Sequence, residues 1–181
     1  NCLIIMASKI ELYPQQLEAV EKLKSGSILN GGVGSGKTLT SLYFYKKNYS
    51  NLKLRVISTA KHRDEKTFEK EGEIIDVLCM NIFEPDYMIV DSWNNIHKYE
   101  KETNCFFIFD EQRAIGAGPW SKSFIKIAKN NHWILLSATP GDGWLDWLPV
   151  FIANGFYKNR TQFNSEHVRY DPYYPFPKIK E

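Results

Sequence analysis

Three cysteines are all this 181-residue chain carries, and Cys2, Cys79 and Cys105 show neither paired spacing nor a histidine placed to complete a metal motif. That argues against a disulfide-stapled scaffold or a zinc knot. Two of the three lie in apolar runs, so buried free thiols in a reducing cytoplasm are expected. Net charge is equally sparse at +2. A balance so close to zero excludes a generally basic coat, so any nucleic-acid groove must be local. No apolar run is long enough to span a membrane, and Leu3–Met6 is too short even for the core of a secretion signal. Internal repeats and low-complexity tracts are absent as well. What remains is ordinary globular material, 43% hydrophobic and 24% charged. A chain of this length can bury roughly 70% of its unfolded surface in one domain. It opens on Asn1 while Met6 begins a polar stretch, so residues 1–5 are expected to stand outside the fold and residues 1–8 to form a tail.

Three short segments stand out against that background. GGVGSGKT at Gly31–Thr38 satisfies the pattern G-x-x-x-x-G-K-[ST]. Glycines there let the backbone approach a phosphate chain closely and point successive N–H groups at it. Gly32, Gly34, Ser35 and Gly36 are the expected cradle. Lys37 is expected against the β/γ-phosphates, and the Thr38 hydroxyl on magnesium. FFIFDEQR at Phe106–Arg113 is an apolar run ending in two carboxylates. It suits a buried parallel strand that delivers Asp110 and Glu111 to the carboxyl edge of a sheet. LLSATP at Leu135–Pro140 is the third. Each has a bland reading: a plain glycine loop, a core strand whose Glu111 caps a turn, hydroxyls capping the turn before Pro140. Their order is specific to a nucleoside-triphosphate site with metal and water activation.

The rest of the chain supplies the frame. Pro14 followed by QQLEAVEKLK predicts a helix with Leu17, Val20 and Leu23 on one face. Strands are expected at Ser27–Asn30, Leu54–Ser58, Ile75–Met80, Tyr87–Val90, Cys105–Phe109 and Trp133–Leu136. Helical stretches are expected at Leu39–Asn48, Lys61–Glu71, Lys122–Lys129 (Phe124, Ile125 and Ala128 inward) and Trp144–Ala153, then a polar, aromatic tail. This alternation predicts an α/β fold, a three-layer doubly wound and mainly parallel sheet. In such sheets chemistry sits outside the carboxyl ends of the strands, where all three motifs would converge.

The order of motifs resembles the first RecA-like lobe of superfamily-two helicases, close to Swi/Snf-type translocases and similar to helicases of phages that infect Gram-positive bacteria. LYPQQLEAVEKL at Leu12–Leu23 resembles the family's adenine-reading motif, with Gln16 the best match and Gln15 the alternative. An amide can pair a donor and an acceptor with the base edge at once. The resemblance makes Asp110 the magnesium-binding carboxylate, Glu111 the catalytic one, and Ser137 and Thr139 the segment that couples nucleotide to nucleic acid. It places phosphate-backbone contacts on STAKHR and DSWNNI, hence Lys61, His62, Arg63, Ser92 and Trp93. Trp93 is open to two readings, base stacking or core packing. Arg113 departs from the better-known versions of the second motif. The implied activity is ATP hydrolysis with Mg2+, coupled to movement on single- or double-stranded DNA, in a cytoplasm (the host's, if phage-encoded). The implied domain runs over residues 9–165, with 166–181 a tail or the start of a linker. The family's arginine finger comes from a second RecA-like lobe, so a fragment of a larger helicase is expected. The alternative is a single-lobe ATP-binding or partner-binding module without turnover.

Overall fold

A computed structural model of the chain describes residues 12–75, 86–111, 118–138, 143–169 and 178–179. Five strands form one sheet in the order β1–β5–β4–β2–β3: β1 Ile28–Asn30, β2 Lys53–Ser58, β3 Met88–Ser92, β4 Cys105–Phe109 and β5 His132–Ser137. Every pairing among them is parallel. Beyond that sheet, β6 (Val168–Arg169) pairs antiparallel with β7 (Lys178–Ile179).

The strand sequences explain why both faces of the sheet are covered. Along β4, Phe106 and Ile108 enter one core, while Phe107 and Phe109 enter the other. Leu54 and Val56 alternate with Ile57, and Ile134 and Leu136 with Trp133 and Leu135, in the same way. The first core is closed by α1 (Pro14–Lys22), α2 (Lys37–Tyr49) and α4 (Thr67–Ile74), which contribute Val20, Leu42, Tyr45 and Phe68. The second is closed by a 3-10 helix at Trp93–Tyr99, by α5 (Pro119–Asn130) and by α6 (Leu148–Ala153). Phe124 of α5 stands edge-on to Phe109 at 4.8 Å and to Trp133 at 5.0 Å between ring centres. Such pairs contribute about 0.5–1.5 kcal/mol each beyond the area they bury. The expected three-layer α/β architecture is the observed one.

Local departures have local causes. The predicted Lys61–Glu71 helix is two, α3 (Ala60–Asp64) and α4, broken at Lys66, whose φ of 53° is left-handed. The Trp144–Ala153 segment likewise divides, with a 3-10 turn at Trp144–Trp147 before α6. Ile75 closes α4 rather than opening a strand, and the remainder of the predicted Ile75–Met80 strand lies outside the described residues. Of the apolar residues expected on one face of α1, Val20 is buried while Leu17 is 45% exposed. The tail holds an unpredicted helix, α7 (Arg160–His167), capped by the Asn159 side chain accepting from the Gln162 N–H and anchored by buried Phe163. No described helix is long and apolar enough to cross a membrane.

Candidate nucleotide site and its neighbours

All five strands of the sheet end at one edge, and the residues that carry chemistry lie there. β1 pairs Asn30 with Ser137 of β5, and the Gly31 N–H donates to the Ser137 carbonyl at 3.1 Å, so the glycine loop leaves from beside the SAT segment. The loop turns through Gly34 and Gly36, whose φ values of 77° and 74° are left-handed and suit glycine alone at low cost. Gly36 is the N-cap of α2, so the loop feeds directly into a helix start, where unpaired N–H groups favour an anion. A Cβ at Gly36 would stand 2.2 Å from the Gln16 amide nitrogen. Gln16 is thereby placed on the loop, its Nε2 3.4 Å from the Ser35 carbonyl and its Oε1 accepting from the Tyr13 N–H at 2.9 Å. Gln15 is exposed to solvent. Of the two glutamines, Gln16 is the one that lies against the loop.

Lys37 folds back over its own loop and donates to the carbonyls of Gly31 at 2.7 Å and Gly32 at 2.8 Å. A lysine ammonium has three donors, so two hold the loop's shape and one remains for a phosphate oxygen. Lys37, Thr38, Asp110 and Glu111 line a cleft of about 370 Å³ together with Val33, Gly34 and Gly36. Asp110 is 6% exposed and held at several points. Its Oδ2 accepts from Ser58 Oγ at 2.6 Å and meets His62 Nδ1 at 2.9 Å. An ionised carboxylate only accepts, so Nδ1 is the protonated nitrogen of that ring. Glu111 has a φ of 52°, an unusual conformation for a non-glycine residue. Backbone outliers of this kind gather at functional sites.

The cleft's remaining carboxylate was not foreseen. Glu71 on α4 also lines it, and its Oε2 is buried with no hydrogen-bond partner. Burial, and then the charge of Asp110, push the Glu71 carboxyl above its usual range. An orphaned carboxylate oxygen among hard oxygen donors is the environment a hydrated Mg2+ suits. Among the described residues no three of His, Cys, Asp and Glu converge as a ready cage.

The other predicted site residues divide. Ser137 is buried at the end of β5, and Thr139 and Arg113 lie outside the described residues. Lys61 is exposed, 3.9 Å from Glu65. Arg63 is already paired, with Asp64 at 2.8 Å and Asp91 at 3.5 Å, and its Nη1 is 3.5 Å from Ser92 Oγ. Burial alone would raise the Asp91 carboxyl, but hydrogen bonds from Asn95, the Ser92 N–H and Tyr99 outweigh it and hold it low. Trp93 requires a correction. It is 3% exposed, packs against Phe109 and Trp120, and donates its indole N–H to the Asp110 carbonyl at 2.8 Å. A ring so enclosed cannot stack on a base.

A larger cavity, about 610 Å³, lies at the opposite edge of the sheet beside Lys53 and Cys105. Its buried Arg55 is neutralised by Glu102 at 2.7 Å, and burial and Glu102 push the Cys105 thiol up to about 11. None of the described residues that line it belongs to a glycine loop.

Neither a protein-family model nor a curated protein matches this sequence. Solved structures do. The SWI2/SNF2 ATPase core of Sulfolobus solfataricus, determined in complex with dsDNA, superposes with a TM-score of 0.69 at 18% identity, over 88% of this chain and 39% of that one. The Hef helicase domain of Pyrococcus furiosus gives 0.52 at 17% identity, over 87% of this chain and 40% of that one. The chain has the fold of a RecA-like helicase lobe. The large terminase ATPase domain of Thermus phage P74-26 is also similar, with a TM-score of 0.54 at 15% identity over 75% of this chain and 68% of that one. This chain spans about 39–40% of the length of the SWI2/SNF2 and Hef structures.

Proposed function

We propose that this lobe binds Mg2+-ATP in the cleft between the glycine loop and the end of β4, and belongs to a superfamily-two DNA translocase or helicase. The observation that carries the reading is the meeting of Lys37, Thr38, Asp110 and Glu111 in one cleft, from segments more than 70 residues apart. Loop N–H groups and Lys37 hold the phosphates. Thr38 and Asp110 are the residues for the magnesium ion, which offsets phosphate charge when bound. Glu111 orients the attacking water and takes its proton. Gln16 reads the adenine edge.

The described residues that line the cleft include no arginine. A transition-state arginine is worth about 10³–10⁵ in rate in related phosphoryl transfer. We assign it to a second RecA-like lobe, so hydrolysis by this lobe alone is expected to be slow. Steady-state ATP hydrolysis with and without DNA tests the reading. Slow hydrolysis that DNA stimulates is expected. ATP binding with no hydrolysis in either condition would indicate a binding module instead.

DNA is proposed to run along the edge carrying Lys61 and Arg63; Ser92, expected there too, is only 3% exposed and is enclosed like Trp93. Of the two cations, exposed Lys61 has less to give up than Arg63, which must part from Asp64 and Asp91. Few phosphate contacts imply weak binding that falls steeply with salt. Changing Lys61 and Arg63 together to alanine is expected to lower DNA affinity several-fold at low salt and to flatten the salt slope by up to about two units. Unchanged affinity and slope would move the DNA path elsewhere.

A further inference from the structure

Asp110 stands in the wall between two cavities. On one side is the nucleotide cleft, lined by Asp110 and His62. On the other is a smaller one of about 210 Å³, lined by Ser58, Thr59, Ser92, Trp93 and Trp120, on the edge proposed above for DNA. Among the described residues, the side chains that bond Asp110 come from the segments that form this second cavity. Ser58 ends β2 and donates to the carboxylate, Trp93 follows β3 and donates to the carbonyl, and His62 meets the carboxylate from α3. The Asp110 N–H is itself fixed to the Ile57 carbonyl at 2.8 Å.

His62 is the most exposed member of this set. Ser58 and Trp93 are buried at the ends of strands, whereas the His62 side chain is 33% exposed on a five-residue helix. Its neighbours in sequence are the two cations, Lys61 and Arg63. Thr59 caps that helix by accepting from the His62 N–H at 3.2 Å, and Thr59 also lines the smaller cavity. A shift of α3 toward phosphates therefore displaces the imidazole against Asp110 Oδ2, with no long chain of intermediaries.

We propose that His62 is a positioning residue that couples occupancy of the DNA edge to the Asp110 carboxylate, and so to Mg2+-nucleotide affinity. This rests on the nucleotide and DNA reading given above. Coupling of this kind is reciprocal: the factor by which DNA tightens nucleotide binding equals the factor by which nucleotide tightens DNA binding.

The test measures both binary affinities and the coupling between them. A fluorescent ATP analogue is titrated into the chain with Mg2+, with and without a saturating short DNA duplex, and the duplex is titrated with and without nucleotide. In wild type, DNA is expected to tighten nucleotide binding by about 5-fold or more, within the usual range for linked sites. His62→Ala is expected to bring the coupling factor to near one, a ratio that is read independently of any change in the two binary affinities. His62→Asn, whose amide can still donate to Asp110, is expected to recover most of it. Loss of both ligands' binding in wild type would defeat the underlying reading. Binding without coupling in wild type, wild-type coupling in His62→Ala, or no rescue by His62→Asn would overturn the role of His62 alone.

Discussion

Lys37→Ala is expected to weaken Mg2+-ATP binding by roughly 30-fold or more. The ammonium has two tasks, and alanine ends both. It holds the Gly31 and Gly32 carbonyls, and so sets the curvature of the loop. In the proposed complex it also supplies a charged donor to the phosphates, and each hydrogen bond to a charged group is worth about 1.5–3 kcal/mol. A loss of about 2 kcal/mol corresponds to the 30-fold stated. Calorimetric titration of both proteins with ATP and Mg2+ measures it. The melting temperature should hardly move, because Lys37 lies at the surface end of α2 while the core beneath rests on Leu42, Phe44 and Tyr45. Equal affinity in the two proteins would mean that the loop is not the phosphate site.

Glu111→Gln is expected to act at the other half of the reaction. The amide preserves size but cannot take a proton from water. In the two-lobe protein proposed to contain this lobe, turnover should fall by about 10²–10⁴, the usual contribution of a positioned base. ATP affinity should hold or rise, since phosphate contacts belong to the loop and Lys37. Single-turnover hydrolysis alongside nucleotide binding separates the two effects. Near-normal turnover would leave Glu111 as the turn-capping residue of the bland reading, and the base would have to be sought elsewhere in the cleft, with Glu71 the first alternative.

Sequence alone carried the frame because both of its signals are local. β4 could be bounded at Cys105–Phe109 because five apolar residues end abruptly in two carboxylates, and a strand buried on both faces reads as a continuous run. The glycine loop was legible because its geometry depends on glycine at fixed spacing. Neither property needs knowledge of what packs where. The partners of Asp110 do need it. His62 is 48 residues away in sequence, and only the parallel pairing of β2 with β4 brings the start of α3 beside the end of β4. Glu71 is invisible for the same reason: on α4 it reads as one more solvated acid in a charged helix. Trp93 had two readings in sequence, and burial against Phe109 and Trp120 decides between them. α7 had a usable local signal in Asn159 and Gln162, but its polar, weakly periodic sequence hid the one anchor, Phe163.

The central claim is where nucleotide binds, and amide hydrogen exchange on the wild-type chain tests it most directly. Mg2+-ATP is expected to slow exchange across residues 31–38 and at 110–111, where loop N–H groups meet phosphate and the end of β4 meets the metal. Protection confined to the opposite edge, around Arg55, Glu102 and Asn104, would contradict the account, because it would put the ligand in the larger cavity and leave the glycine loop without its role.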